Sequence, residues 1–431
     1  MTILRQRVRR LALRRQPFTE SPARHRLYYG WVLMVALGVT TIISYGTTQY
    51  LFGVLVVPVS TTQHWSRASL SGAYSLGLVL SGLLGVPIGQ LVDRWGARLL
   101  MTVGSAIGGL SLIGLASVHT LWHFYLYWSL GLGLATALTF YPVSFIVVTN
   151  WFEHKRGTAL AVLTLLGGLA SPLFIPFEGW MVSIAGWRTM LILLGLLQLG
   201  IAMPIHGLIL RRHPEDLGLS PDGEDISPTP QPGPLPGMTL AEALRHPAFW
   251  ILTASLALVM LGSTVVQVHQ IPALIARGFN PVLAAAVAGG LGLASLPGRY
   301  VFNILSERVT PQMLLWSSVA TQAIGVIILL LASSVGWLIV YVVLYGAAYG
   351  AISPLRGSVM ADHIGRRAYG SITAVQGIPI AICAALGPLA AGWLYDTLHN
   401  YEVAFWLCVF TFLLAALGIL LTPRPHITKH R

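Results

Sequence analysis

The sequence predicts an all-α integral membrane protein: twelve transmembrane helices in two pseudo-symmetric six-helix bundles, with both termini cytoplasmic. Three observations carry that prediction. Only 9% of the 431 residues are charged while 55% are hydrophobic, against roughly a quarter charged in soluble domains. Residues 31–63 and 99–152 contain no Asp, Glu, Lys or Arg, and the second run is long enough for two crossings of about 20 residues each. The third observation is a weak internal similarity, in register about one central linker.

Breaks at charged or turn-rich clusters place the spans at 31–57, 70–91, 99–118, 122–148, 158–181, 187–210, 249–275, 282–304, 313–333, 336–360, 371–394 and 401–422. Each is expected to be a helix, because hydrocarbon offers no partner to an open backbone group. The chain then divides into a basic tail (1–29), an N-terminal bundle (30–210), a linker (211–248), a C-terminal bundle (249–422) and a second short tail (423–431). Within the linker, SPDGEDISPTPQPGPLPG is rich in Pro and Gly and will not form a packed core. The stretch AEALRHPAF before span seven reads either as a short amphipathic helix at the membrane surface or as a polar run-in.

The first 29 residues are Arg-rich, but the apolar segment after them is of spanning length, so a secretory signal peptide is not expected. Positive charge sets the orientation. With the N-terminus inside, 21 of the 26 Lys and Arg residues fall in cytoplasmic segments, Arg67, Arg188 and Arg277 fall outside, and Arg299 and Arg356 lie within spans. The net charge of +12 follows from those loops and gives no reason to invoke nucleic acid; the partner is the bilayer. Cys383 and Cys408 both sit in apolar segments, which argues against a disulfide framework.

The internal repeat has an offset of about 213 residues. LVDRWG (91–96) stands against LSERVT (305–310), GTALAV (157–162) against GSITAV (370–375), and Gly179-Trp180 against Gly392-Trp393. Parallel six-helix repeats of this kind place a binding site near the bilayer midplane, between the halves.

GQLVDRWGAR (89–98), between spans two and three, resembles the cytoplasmic loop signature G-x-L-x-D-R-x-G-x-R of the major facilitator superfamily. The matching residues are Gly89, Asp93, Arg94, Gly96 and Arg98. The resemblance implies a cytoplasmic gate in which Gly89 lets helices approach, Asp93 caps or pairs, and the arginines sit among headgroups. YYGW (28–31), HWSRASLSGAYS (64–75), NWFEHKRGTALAV (150–162), GWR (186–188), HQIPALIARG (269–278) and GPLAAGWLYD (387–396) resemble the monocarboxylate-porter and oxalate–formate-antiporter-like branch.

Arg299, in GLGLASLPGRYVFN, is the residue that most needs a reason. Placing an arginine near a helix centre is unfavourable by about 2.5–3.5 kcal/mol on insertion scales. One reading is a side chain that snorkels to the cytoplasmic headgroups; the other is an anchor for a substrate carboxylate, held by the planar guanidinium fork. In the branch resembled here, a span-eight arginine is the anion-binding group. Around it, Gln267, His269, Tyr45, Gln49, Tyr141 and Tyr349 are the candidate substrate contacts. Arg356, near Asp362, is read as pairing at the cytoplasmic end and as the reserve candidate for a second carboxylate.

Proton coupling is harder to place. Asp93, Glu153, Glu178, Glu307, Asp362 and Asp396 all read as lying at or near span ends, with no carboxylate at mid-span. Some porters of the branch carry an Asp one turn before the span-eight arginine, where this chain has Ser295; the oxalate exchangers carry a span-eleven lysine, where this chain offers only Gln376. His269 is the remaining titratable candidate, since histidine changes charge near neutral pH; the alternative is a hydrogen-bonded gate residue.

The expected function is secondary active transport of a small organic anion, a monocarboxylate, across the plasma (inner) membrane by alternating access, with protons as candidate coupling ions. The chain is expected to act as a monomer, without a cofactor or a metal. No nucleophile–base pair or metal-ligand cluster suggests an enzyme. The alternatives are an exporter of lipophilic or drug-like compounds on the same fold, and a non-transporting membrane receptor.

Overall fold

The computed structural model describes residues 28–223, 237–305, 309–365 and 367–423. Eleven helical segments among them are long and apolar enough to cross a bilayer. One, Arg156–Ile209, runs for 54 residues. At 1.5 Å per residue that is about 80 Å, more than twice a ~30 Å hydrocarbon core. It breaks at Gly186, whose φ of 79° is one that side-chain-bearing residues rarely adopt. The chain reverses there, so this segment crosses twice and the described crossings number twelve.

They are α1 (Tyr29–Gln63), α2 (Arg67–Trp95), α3 (Ala97–Ala116), α4 (Leu121–Trp151), α5 (156–185), α6 (187–209), α7 (Pro247–Ala276), α8 (Pro281–Leu305), α9 (Pro311–Leu331), α10 (Val335–Ile364), α11 (Tyr369–Leu398) and α12 (Glu402–Leu421). Two of these are irregular in ways that set side-chain directions. α1 widens into a π-helical turn at Tyr45–Tyr50. α4 carries a π-helical stretch at Leu126–Leu132, breaks at extended Phe140 and restarts with Pro142 in its first turn. Proline is tolerated there, because a first-turn N–H has no intrahelical partner to lose.

Helices α1–α6 pack around cores that include Leu51, Phe52 and Trp128 on one side and Leu37, Met101 and Val148 on the other. Helices α7–α12 pack around Phe249, Leu315, Tyr341 and Phe412. The halves meet chiefly through α2 against α11, α5 against α8 and α1 against α7. The α5–α8 seam is the tightest described: a Cβ added to Gly179 would stand 2.5 Å from that of Ala285, and one on Gly289 would stand 2.8 Å from Pro176.

The linker is fastened to each half on one face of the molecule, the linker face. The Asp222 carboxylate accepts backbone N–H bonds from Glu153, His154 and Lys155 at 2.6–3.2 Å, just before α5. Beyond residues 224–236, the Met238 N–H donates to the Ile364 carbonyl at the end of α10 (2.8 Å). AEALRHPAF proves to hold a short helix, Leu240–Arg245, opened by a reciprocal capping box between Thr239 and Glu242. Exposed tryptophans ring the bundle near helix ends: Trp95 and Trp250 toward the linker face, and Trp122, Trp180, Trp337, Trp393 and Trp406 toward the opposite face. Cys383 and Cys408 are both free thiols.

Candidate functional site

Between the two halves lies a cavity of about 540 Å³, counting its open mouth. α5 supplies Gly168, Ser171 and Ile175, and α1 supplies Tyr50. From the other half come Ser263, Gln267 and Gln270 on α7, Ser295 and Arg299 on α8, and Tyr345 and Tyr349 on α10. Apolar wall is provided by Val266, Ala288 and Leu291.

Arg299 is half-buried in this lining, about 9 Å from the linker-face end of α8 by helical rise. Its Nη1 donates across the interface to the Thr164 carbonyl of α5 (3.2 Å), and its Nε is buried with no partner. The guanidinium thus belongs to the inter-half cavity, and one donor of its fork is buried and unbonded.

The other expected contacts are distributed as follows. Gln267 and Tyr349 line the cavity with Arg299. Gln49 lies alongside: its Nε2 donates to the Tyr74 hydroxyl (3.0 Å) and to Gln267 Oε1 (3.4 Å), linking the halves. Tyr45 stacks on Phe140 with ring centroids 3.9 Å apart, and Tyr141 stacks on Phe145 at 5.2 Å; neither lines this cavity. Arg356 donates from Nε to Gln376 Oε1 of α11 (3.3 Å), so its partner is this amide rather than a carboxylate.

His269 sits away from the cavity, buried among groups near the face opposite the linker. Its Nε2 lies 2.9 Å from the Pro388 carbonyl of α11 and its Nδ1 3.3 Å from the Tyr401 hydroxyl. A carbonyl only accepts, so Nε2 carries the proton and Nδ1 accepts from Tyr401. Arg67 Nη1 donates to that same hydroxyl at 2.7 Å, and its guanidinium lies 3.6 Å over the Tyr395 ring. Asp396 completes the cluster: its two oxygens accept the backbone N–H groups of Arg67 (3.0 Å) and Ala68 (2.7 Å) at the start of α2. A carboxylate at a helix N-terminus is favourably placed in the field of the helix dipole. α2, α7, α11 and the start of α12 are therefore fastened together on this face.

On the linker face the same pair of helices comes apart. Gly82, Gly85 and Gly89 continue the face of α2 that bears Ser71, and Gly370 and Gly377 continue the face of α11 that bears Gly392. Among the described residues, an added Cβ would meet nothing within 4 Å at any of these five positions. Gly89 was expected to permit close approach; among the described residues, no atom comes within 4 Å of a Cβ added there. The rest of GQLVDRWGAR forms the turn between α2 and α3. Gly96 adopts φ +80°, Arg94 is exposed, and Arg98 Nε donates to the Gly207 carbonyl of α6 (2.6 Å). The Asp93 side chain lies outside the described residues, as do Glu307 and Arg308. The α2–α11 pair is thus fastened on one face, and its glycines stand free of described neighbours on the linker face.

Two features escaped the sequence. Tyr50 reaches the cavity because the π-helical turn shifts the side-chain register of α1 by about one residue. Glu178, read as lying near a span end, is fully buried with neither carboxyl oxygen hydrogen-bonded. The correction comes from helix length: α5 continues to 185, placing Glu178 about two turns inside.

Comparisons with known proteins agree with this architecture. The chain is 28% identical over 402 residues to bovine monocarboxylate transporter 13, covering 92% of this chain and 90% of the relative. It is 28% identical to human monocarboxylate transporter 11, covering 88% and 80%. Among solved structures, a bacterial homologue of the human lysosomal transporter Spinster superposes with a TM-score of 0.70 at 17% identity, over 92% of this chain and 97% of that one. The nucleoside transporter NupG gives 0.74 at 12% identity, over 90% and 99%. The model of the Major Facilitator Superfamily matches residues 37–378 and 271–431. The chain belongs to the Major Facilitator Superfamily and is a membrane transporter rather than an enzyme.

Proposed function

We propose that the protein carries a small organic anion, a monocarboxylate, across the plasma membrane by alternating access, with Arg299 as the carboxylate anchor. The observation that carries this reading is Arg299 in the lining of a cavity between the two halves, with one donor of its fork unbonded. A carboxylate accepting from Nε and Nη together would complete the guanidinium fork, the geometry in which arginine binds carboxylates most strongly. Ser171, Gln267 and Tyr349 stand in the same lining to orient the remainder of a small substrate. The names of the relatives, monocarboxylate transporters, point the same way. We further assign the linker face to the cytoplasm on the distribution of arginine, His269 to the gate, and function to the single chain, since one copy supplies both cavity walls.

Uptake of radiolabelled lactate by proteoliposomes holding the purified protein tests the anchor. Arg299→Gln is expected to lose roughly 30-fold or more of the rate, the effect of removing one partner from a buried charged pair. Arg299→Lys, which keeps the charge but not the fork, should lose less than Arg299→Gln and remain below wild type. Wild-type rates in both variants would overturn the assignment.

A second reading, export of lipophilic compounds, draws on the apolar wall of Ile175, Val266, Ala288 and Leu291. A thermal-shift screen across mono- and dicarboxylates and lipophilic cations separates the two, because a ligand that binds only the folded state raises its apparent stability. Stabilisation by the cations alone would favour the exporter.

A further inference from the structure

Glu178 has no role in the site described so far, and its surroundings are unusual. It is 0% exposed, and both carboxyl oxygens lack a hydrogen-bond partner. An ionised carboxylate left unpaired in a dry interior is strongly disfavoured, so these surroundings accommodate the neutral acid. A neutral acid that bonds to nothing also gives the packing nothing that an apolar side chain would not give better. Ionisable residues inside a membrane helix are functional candidates by default.

Its position suggests the function. Ser171 and Ile175 line the cavity from α5, and Glu178 follows them on the same helical stripe, one turn beyond Ile175. At 1.5 Å per residue it lies about 10 Å past Ser171, away from the open linker face and toward the fastened one. It also adjoins Gly179, where α5 of one half packs on Ala285 of the other. That seam must shift when the halves rock, so Glu178, which does not itself line the present cavity, stands beyond its inner end at a contact that movement would open. On the elements packed against α5, Tyr45 and Tyr50 lie on α1, and Arg299 lies on α8 about 20 Å along that helix from the Ala285 contact; none bonds to Glu178. Between Pro281 and Gly292, the part of α8 alongside it, no residue is titratable.

We propose that Glu178 is the proton-binding residue of the transport cycle, taking up a proton from water on one face and releasing it to water on the other. The proposal rests on the anion-transport reading above. Charge balance explains the coupling: with Glu178 protonated, the bound anion offsets Arg299, and the loaded site carries no net charge. On the empty return Glu178 has given its proton to water that enters as the seam shifts, and its charge offsets Arg299 in the sum. One proton then crosses with each monocarboxylate, and no group other than water exchanges it.

Full-length protein in proteoliposomes, with lactate as probe, gives two transport readouts: accumulation driven by a pH gradient, and lactate–lactate exchange at equal pH. In Glu178→Gln the ratio of exchange to pH-driven accumulation is expected to rise at least tenfold over wild type; Glu178→Asp should recover part of the coupling. An unchanged ratio, or a wild-type accumulation indifferent to the gradient, would overturn the proposal. A third readout needs neither lactate nor turnover. The infrared band of a protonated carboxylic acid, present in the wild type at neutral pH, should vanish in Glu178→Gln, and its absence from the wild type would equally overturn it. If lactate does not move at all while the band behaves as expected, the substrate reading fails and the protonation site stands.

Discussion

The two ends of the α2–α11 pair differ more than any other two regions of the molecule. Toward the closed face, Gly392 stands so near α2 that an added Cβ would lie 2.8 Å from the Arg67 carbonyl oxygen, and Asp396 accepts two N–H bonds from the start of α2. Toward the linker face, the same faces of the same two helices leave a Cβ at Gly82, Gly85 or Gly377 with nothing within 4 Å among the described residues. The two helices thus form a lever, with polar bonds and glycine contact at one end and separation at the other. What differs is the state of the pair rather than its chemistry, since small residues occupy both ends. That is the arrangement expected of a rocking interface, which must be able to pack at either end.

The largest expected effect comes from filling the packed end. Gly392→Val places methyl groups against the α2 backbone, which cannot retreat, and overpacking of this kind is unfavourable by about 1–3 kcal/mol. In a Ser71→Cys, Cys383→Ala, Cys408→Ala background, maleimide labelling at position 71 should accelerate by roughly tenfold or more as the closed face parts. Gly85→Val meets open space, so it should leave that labelling rate alone while blocking closure of the linker face and hence transport. Equal acceleration by both substitutions would mean that the two ends do not differ as described.

A smaller effect is expected from Asp396→Asn. It keeps the shape but removes the charge that accepts two N–H bonds at the α2 N-terminus, worth about 1–2 kcal/mol. Labelling at position 71 should rise by roughly fivefold to thirtyfold. No change would show that packing, not the carboxylate, holds the face shut.

The smallest lies at the linker fastening. Burial pushes the Asp222 carboxyl upward, but the backbone N–H groups of His154, Glu153 and Lys155 outweigh it and hold the group below its usual value of 3.8. A lowered acid contributes stability above its ordinary value and loses it as pH falls through the lower, folded-state value. Asp222→Asn should therefore lower apparent thermal stability by about 1 kcal/mol at neutral pH and flatten the decline between about pH 5 and pH 3. A decline as steep as the wild type's would assign it to other carboxylates.

Much of the fold was legible in the sequence, because span length and charge distribution answer directly to the bilayer. The doubled crossing of Arg156–Ile209 was legible too, from Gly186 in GWR. Arg299 was found as an isolated charge in an apolar run, and Gln267 as an amide too polar to face lipid. What could not be read was register and depth. A regular helical period brings Tyr45 forward in α1, but the π-helical turn brings Tyr50 to the cavity instead. Glu178 was mislaid because the span was ended at 181, three residues beyond it, while the helix itself runs on to 185. Hydropathy marks where lipid ends, not where a helix does. The gate around His269 was visible only as separate motifs, because contacts between residues 67, 269, 396 and 401 are set by packing of distant helices.

The uneven ring of exposed tryptophans has an optical consequence. Trp122, Trp180, Trp337, Trp393 and Trp406 stand toward the face opposite the linker, against Trp95 and Trp250 near it. Indole emission depends on local polarity, so the intrinsic fluorescence of the native protein weights one leaflet over the other. Brominated lipid confined to the leaflet opposite the linker should quench more of that emission than the same lipid in the other leaflet. The chain thus carries its own optical marker of which way up it sits.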